Sequence, residues 1–139
     1  MTIEDTREIL RSFRTFAVVG LSPRPDRDSH IVARFLQEHG YRVIPVHPGI
    51  ETVLGERCYG SLRDIPEAVE VVDLFRRSQA VPPLVEDAIA IGAKVVWMQL
   101  GVVHEEAAQR ARRAGIQVVM DRCPLIEYRR HFGTSSRPK

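Results

Sequence analysis

Cysteine is scarce in this chain. Its 139 residues include two, Cys58 and Cys123, with no paired spacing. That excludes a disulfide scaffold and supplies no zinc-ligand pattern, so a reduced, intracellular setting is expected. Long apolar runs are missing too: none approaches the roughly 18 residues that a membrane span needs. The N-terminal stretch MTIEDTREIL is acidic and polar, which does not suit a secretory signal, and the cytoplasm is the expected location. An excess of one charge is also lacking. Twenty basic residues face 18 acidic ones, for a formal net charge of +2. That balance argues against nucleic acid or a membrane surface as a partner.

Two nucleotide-loop patterns are absent. The stretch FAVVGLSPRPDRDSH, residues 16–30, opens as a strand and breaks at Gly20. A dinucleotide loop would continue G-x-G-x-x-G, because close backbone approach to a pyrophosphate favours glycine. Here Gly20 is followed by Leu21, Ser22, Pro23, Arg24 and Pro25. An NAD site also wants an acid at the end of the second strand for the ribose hydroxyls. That strand ends in Val46, His47 and Pro48, and no acid follows until Glu51. NAD is disfavoured on both counts, while His47 and the nearby arginines suit an extra phosphate, as in NADP or a 3′-phosphorylated adenosine. A Gly-Lys-Ser/Thr turn is missing as well, which argues against P-loop nucleotide hydrolysis.

What is present is a repeated grammar. EHGYRVIPVHP, AIGAKVVWMQL and RAGIQVVMDR each place a glycine between a helix-like stretch and a short β-branched run. Glycine after a helix fits the left-handed C-terminal position. The apolar runs are near-continuous rather than alternating, as in strands covered on both faces. The pattern predicts helices over 4–13, 29–38, 82–91 and 105–114, a single turn over 62–65, and strands over 15–19, 42–46, 71–75, 94–98 and 117–120. Alternating strands and helices make a three-layer α/β domain with a mainly parallel five-stranded sheet. The expected strand order is 3-2-1-4-5. Residues 133–139, GTSSRPK, are expected to be a disordered tail behind a single domain over 1–132.

In such sheets ligands sit at the carboxyl ends of the strands. Gly20 allows a sharp turn there, and Ser22 offers a hydroxyl or amide. The helix beginning at Ser29 presents free amides to a phosphate, and Arg24 and Arg27 add charge-assisted contacts. The alternative, which the spacing favours less, is that Ser22 and Ser29 cap turns beside merely solvated arginines. Gln99 emerges at the fourth-strand edge, where its amide would donate to a ligand. Asp121, Arg122 and Cys123 follow the last strand and are the best candidates for chemistry, with Arg122 placed to favour a thiolate; the preferred reading of Cys123 is an inert, partly buried small side chain. Asp73, inside VVDLF, reads as a structural or loop-orienting carboxylate needing amide or arginine partners. Trp97, Met98 and Cys58 read as core. His104, Glu105 and Glu106 open a helix, where acids suit the dipole without any metal.

Taken in order, AVVGLSP, GYRVIPVHPG, VDLFRRS, VWMQLG and VVMDRC resemble the small, single-domain CoA-binding proteins. These are similar to the N-terminal CoA-binding domain of the succinyl-CoA synthetase alpha subunit. The resemblance covers about residues 10–128 and implies a Rossmann-like fold that binds coenzyme A or an acyl-CoA. It implies that Gly20, Ser22 and Pro23, with Leu21 between them, form the first phosphate loop, continued by Arg24, Arg27 and Ser29. Pro45, His47 and Pro48 would flank the adenosine; the family commonly has Asn where His47 stands. Phe75, Arg76 and Arg77 would flank the nucleotide, and Gln99 and Gly101 the pantetheine arm. The synthetase's catalytic-histidine domain has no counterpart in these residues, so binding without catalysis is expected. Two alternatives stand beside it: a small enzyme acting on a CoA thioester through Asp121 and Cys123, and an NADP-dependent oxidoreductase. Self-association, or docking on a separate protein, is compatible with either.

Overall fold

The computed structural model describes residues 5–133; residues 134–139 of the expected tail lie outside them. Helix α1, Thr6–Ser12, starts at Asp5, whose carboxylate accepts from the amides of Arg7 and Glu8 at 3.0 and 3.3 Å. Such caps satisfy amides that a helix start leaves open. The chain then alternates β1 (Thr15–Val19), α2 (Asp28–Glu38) and β2 (Arg42–Val46). Gly40 closes α2 at φ 91°, a backbone state that side chains with a Cβ resist. A small hairpin follows, β3 (Thr52–Val53) against β4 (Glu56–Arg57), turning through Leu54 and Gly55 at positive φ. Next come β5 (Val71–Leu74), α3 (Val81–Ala90), β6 (Val95–Met98), α4 (Glu105–Arg113), β7 (Gln117–Val119) and α5 (Pro124–Phe132). Pro82 and Pro83 sit in the first turn of α3, where no intrahelical N–H is needed.

Two of these features depart from the sequence reading by addition: the hairpin and helix α5. In α5, Tyr128 is fully buried and meets Phe35 edge-on at 5.4 Å. Glu127 accepts from the Thr6 hydroxyl at 2.7 Å and pairs with Arg130, tying α5 to α1.

The five long strands form one parallel sheet in the order β2-β1-β5-β6-β7. Among the sheet's own strands this is 2-1-3-4-5, which corrects the expected 3-2-1-4-5. The physical reason lies in the strands themselves. β5 is buried on both faces at every residue, as a central strand should be. β2 carries Pro45, which has no N–H for a ladder and belongs at an edge. The Pro45 carbonyl accepts from the Tyr59 amide at 3.0 Å, on the side away from β1. The missing N–H therefore costs the sheet nothing.

Each sheet face buries its own core. Ala17, Val19, Val72, Leu74, Val96 and Met98 pack under α3 and α4. Phe16, Val18, Val71, Val95 and Trp97 pack under α1, α2 and α5. Asp73 shares the second face, in register between Val18 and Trp97. With β1 and β5 adjacent, the chain reverses its direction of growth between them, and the loops after these strands flank the crevice where such sheets bind ligands.

Candidate functional site

The crevice is built by two loops pressed together. Gly20 follows β1 with φ 86°, and its amide donates to the Val46 carbonyl at 2.8 Å. A Cβ on Gly20 would collide with the Phe75 carbonyl oxygen and lie 3.1 Å from Arg76 Cδ. Glycine is required here both for its backbone angle and for this approach.

The next residues organise the loop internally. Leu21 is fully buried and serves the core. The Ser22 amide donates to Ser29 Oγ at 3.0 Å, and the Ser22 hydroxyl accepts from the Arg24 amide at 3.1 Å. Ser22 therefore offers a ligand its hydroxyl proton, not its amide, which corrects one half of the sequence reading. The Ser22 carbonyl also meets His30 Nδ1 at 2.9 Å. Arg27 occupies the N-cap of α2 without a side-chain bond to the open amides of the first turn.

The loop encloses a cavity of about 510 Å³ lined by Gly20, Ser22, Arg24, Arg27 and Ser29, with Asp26, Asp28 and Phe75. Two carboxylates thus share its wall. Asp26 faces Arg24 at 3.6 Å, while Arg27, Arg76 and Arg77 make no ion pair among the described residues. Two arginines balance the two carboxylates in this wall, Arg76 and Arg77 add positive charge in the neighbouring cavity, and an uncapped helix start lies here; the last two features suit an anionic ligand.

A second cavity of about 560 Å³ shares Asp28 and Phe75 with the wall of the first. Arg76, Arg77 and Gln99 stand in its wall, but most of its lining is apolar. Beside it lies a buried polar pair. Gln99 donates from Nε2 to Asp73 Oδ1 at 2.5 Å, and Asp73 Oδ2 has no partner. Complete burial pushes the Asp73 carboxyl up to about 7, against the smaller opposing effect of the Gln99 bond. Asp73 thus has a side-chain amide where backbone amides or an arginine were expected. Gln99 spends one of its two amide N–H groups on Asp73, so its second N–H and its carbonyl oxygen are the groups it can turn to a ligand.

The suspects for chemistry have other duties. Asp121, at φ 59°, accepts from the Gly101 amide at 2.7 Å and ties the loop after β6 to the loop after β7. The Ser78 hydroxyl accepts from the Val103 amide at 3.0 Å, tying in the loop after β5. Cys123 lines the second cavity, but burial pushes its thiol up, away from the reactive thiolate. The Trp97 indole donates to the Arg122 carbonyl at 2.9 Å. His104 caps α4, its Nδ1 accepting from the Ala107 amide at 3.1 Å.

The two cavities therefore collect Gly20, Ser22, Arg24, Arg27, Ser29, Phe75, Arg76, Arg77 and Gln99. Leu21, Pro23, Pro45, His47, Pro48 and Gly101 line neither. The His47 ring is turned onto the Pro48 carbonyl, with 2.9 Å from Nδ1 to the oxygen. Sequence reasoning placed Asp28 and Leu100 within ligand-edge loops without singling them out, and missed Ile31 and Ile126. The available signal was weak: isolated aliphatics among polar neighbours, in DSHIV, QLGV and PLIEY.

Comparison with known proteins accords with this geometry. The family model described as CoA binding domain matches residues 14–129. The chain is 43% identical over 124 residues to the uncharacterized protein YneT of Bacillus subtilis, covering 89% of this chain and 92% of YneT. A solved structure of a hypothetical protein from Pyrococcus horikoshii superposes with a TM-score of 0.91 at 48% identity, over 96% of this chain and 94% of that one. The ADP-forming acetate–CoA ligase I of Archaeoglobus fulgidus is 26% identical over 120 residues, which cover 79% of this chain but 18% of the ligase. On the family match and the two high-coverage relatives, the chain belongs to the CoA binding domain family.

Proposed function

We propose that the protein binds coenzyme A in the crevice between β1 and β5, without catalysis of its own. One observation carries this reading: an arginine-flanked cavity at an uncapped helix start shares two wall residues, Asp28 and Phe75, with a largely apolar one. A ligand bearing several phosphates at one end and a long uncharged arm at the other matches that sequence of environments. The close approach of Gly20 to the Phe75 carbonyl, which any Cβ would block, holds the two loops together beside this cavity.

In this reading the first-turn amides of α2, the Ser22 hydroxyl and Arg24 and Arg27 hold the phosphates. Arg76 and Arg77 flank the nucleotide from the opposite loop. Gln99, fixed by Asp73, offers its carbonyl oxygen to an N–H of the arm. Bound CoA supplies a thiol that carries acyl groups; the residues of this chain orient it and shield it. The absence of an acid after β2 works against NAD. The burial of Cys123 and the engagement of Asp121 with Gly101 work against an enzyme built on those two groups. The matching region of the Archaeoglobus ligase sits inside a much longer chain, which supports reading residues 1–132 as a unit that holds CoA rather than one that makes the thioester.

Calorimetric titration with CoA, dephospho-CoA, NAD and NADPH tests the reading. CoA should bind, dephospho-CoA should bind more weakly for want of one phosphate, and NAD should give no heat. Equal binding of NAD, or no binding of CoA, would overturn it.

A further inference from the structure

Resting on the CoA reading, which runs the arm past Gln99, we propose that the α5 end of the larger cavity, walled by Leu125 and Ile126, is an acyl-chain site, and that the ligand class is a CoA thioester carrying an aliphatic acyl group. Four large hydrophobic side chains are exposed among the described residues, and three of them line this one cavity. Ile31 from α2 is 45% exposed, Leu100 after β6 is 57% exposed, and Ile126 from α5 is 49% exposed. An isolated exposed aliphatic needs no explanation. Three from separate elements, converging on one concave site, do.

Behind these rim residues the wall continues with Val32, Val102 and Leu125. The charged lining residues are Asp28, shared with the phosphate cavity, and Arg76 and Arg77, next to the shared Phe75. Polarity therefore falls along the path from the Gly20 loop toward α5. A free thiol at the end of the arm would leave the aliphatic wall wet, whereas an acyl chain would cover it. The volume of about 560 Å³ is within the range of small-ligand sites.

The test is calorimetry on the full chain with CoA, acetyl-CoA, butyryl-CoA and octanoyl-CoA. Affinity should rise with chain length, by about three- to fourfold for each newly buried methylene, until the wall is covered. Ile126→Gln keeps the net charge and changes a half-exposed side chain, so free-CoA affinity should stay within about twofold. The same change should lower octanoyl-CoA affinity about fivefold or more. In a methyl-labelled sample, the Ile31, Leu100 and Ile126 signals should shift with octanoyl-CoA and much less with CoA. Equal affinity for CoA and octanoyl-CoA would overturn the acyl site while leaving CoA binding intact. An Ile126→Gln variant that weakened both ligands alike would do the same. Failure of every CoA species to bind would overturn the underlying CoA reading as well.

Discussion

The two faces of the sheet are built to different rules. Under α3 and α4 the buried residues are apolar throughout, from Ala17 and Leu74 to Ala108 and Val118. The six buried polar residues among those described lie on the other side or in its helices: Thr6, Ser29, His30, Asp73, Gln99 and Glu127. The first face maximises packing. The second accepts the desolvation of polar groups, and it is the side where both cavities open. A buried carboxylate with an orphaned oxygen is a liability for stability. Its presence beside a cavity, and not under α3, separates the part of the molecule that only packs from the part that carries the cavities.

Leu74→Ala should give the largest change. It removes a fully buried side chain from the apolar face and should cost about 2–5 kcal/mol of stability. Denaturant unfolding reads the loss, and CoA affinity measured where the variant remains folded should hold. A parallel loss of affinity would mean that the faces are not independent.

Asp73→Asn should act in the opposite direction. The folded carboxyl titrates at about 7, above its ordinary value of 3.8. The native state therefore holds a proton that the unfolded state has released between those limits. Stability should be highest below about pH 4, fall as pH rises toward 7, and level off above. The substituted side chain would still accept from Gln99 and would carry no charge. The variant should be more stable at pH 8 by about 2–3 kcal/mol, with the Asp73 part of the slope gone. Midpoints across pH 4–8 check this, and an unchanged slope would remove Asp73 from the account.

Gly20→Val should move binding more than folding. A β-branched side chain at positive φ, pressed on the Phe75 carbonyl, must push the two loops apart. CoA affinity should drop by about 10- to 100-fold, or roughly 1.4–2.8 kcal/mol. Normal CoA binding by this variant would place the ligand elsewhere.

Much of this architecture was legible in the sequence because buried parallel strands are written as short, continuous apolar runs. Phe16–Val19 and Val95–Met98 need no partner to be recognised. The order of the strands was not legible from those runs, since order depends on which edges meet. Pro45 was the local clue that β2 lies outside. Helix α5 stayed hidden although Pro124 opens it and Gly133 follows it, because its nine residues give a helical period little room to repeat. The polar cavity after β1 announced itself through Gly20 and its arginines. The apolar cavity did not, because Ile31, Leu100 and Ile126 are far apart in the chain and ordinary one at a time. His47 stands apart from both cavities, its ring turned onto the Pro48 carbonyl.

Pro45 has one more consequence, for behaviour at high concentration. A parallel sheet has two open edges, each a template for strand addition by another molecule. On one side, Pro45 withholds a donor, Tyr59 occupies the neighbouring positions, and Arg42 is paired with Glu56 and Glu67 at 2.6 and 2.8 Å. On the other side, β7 is only three residues long. Neither border offers an incoming strand a long, regular row of partners. The residue that places β2 at the rim also helps protect the molecule from edge-to-edge aggregation.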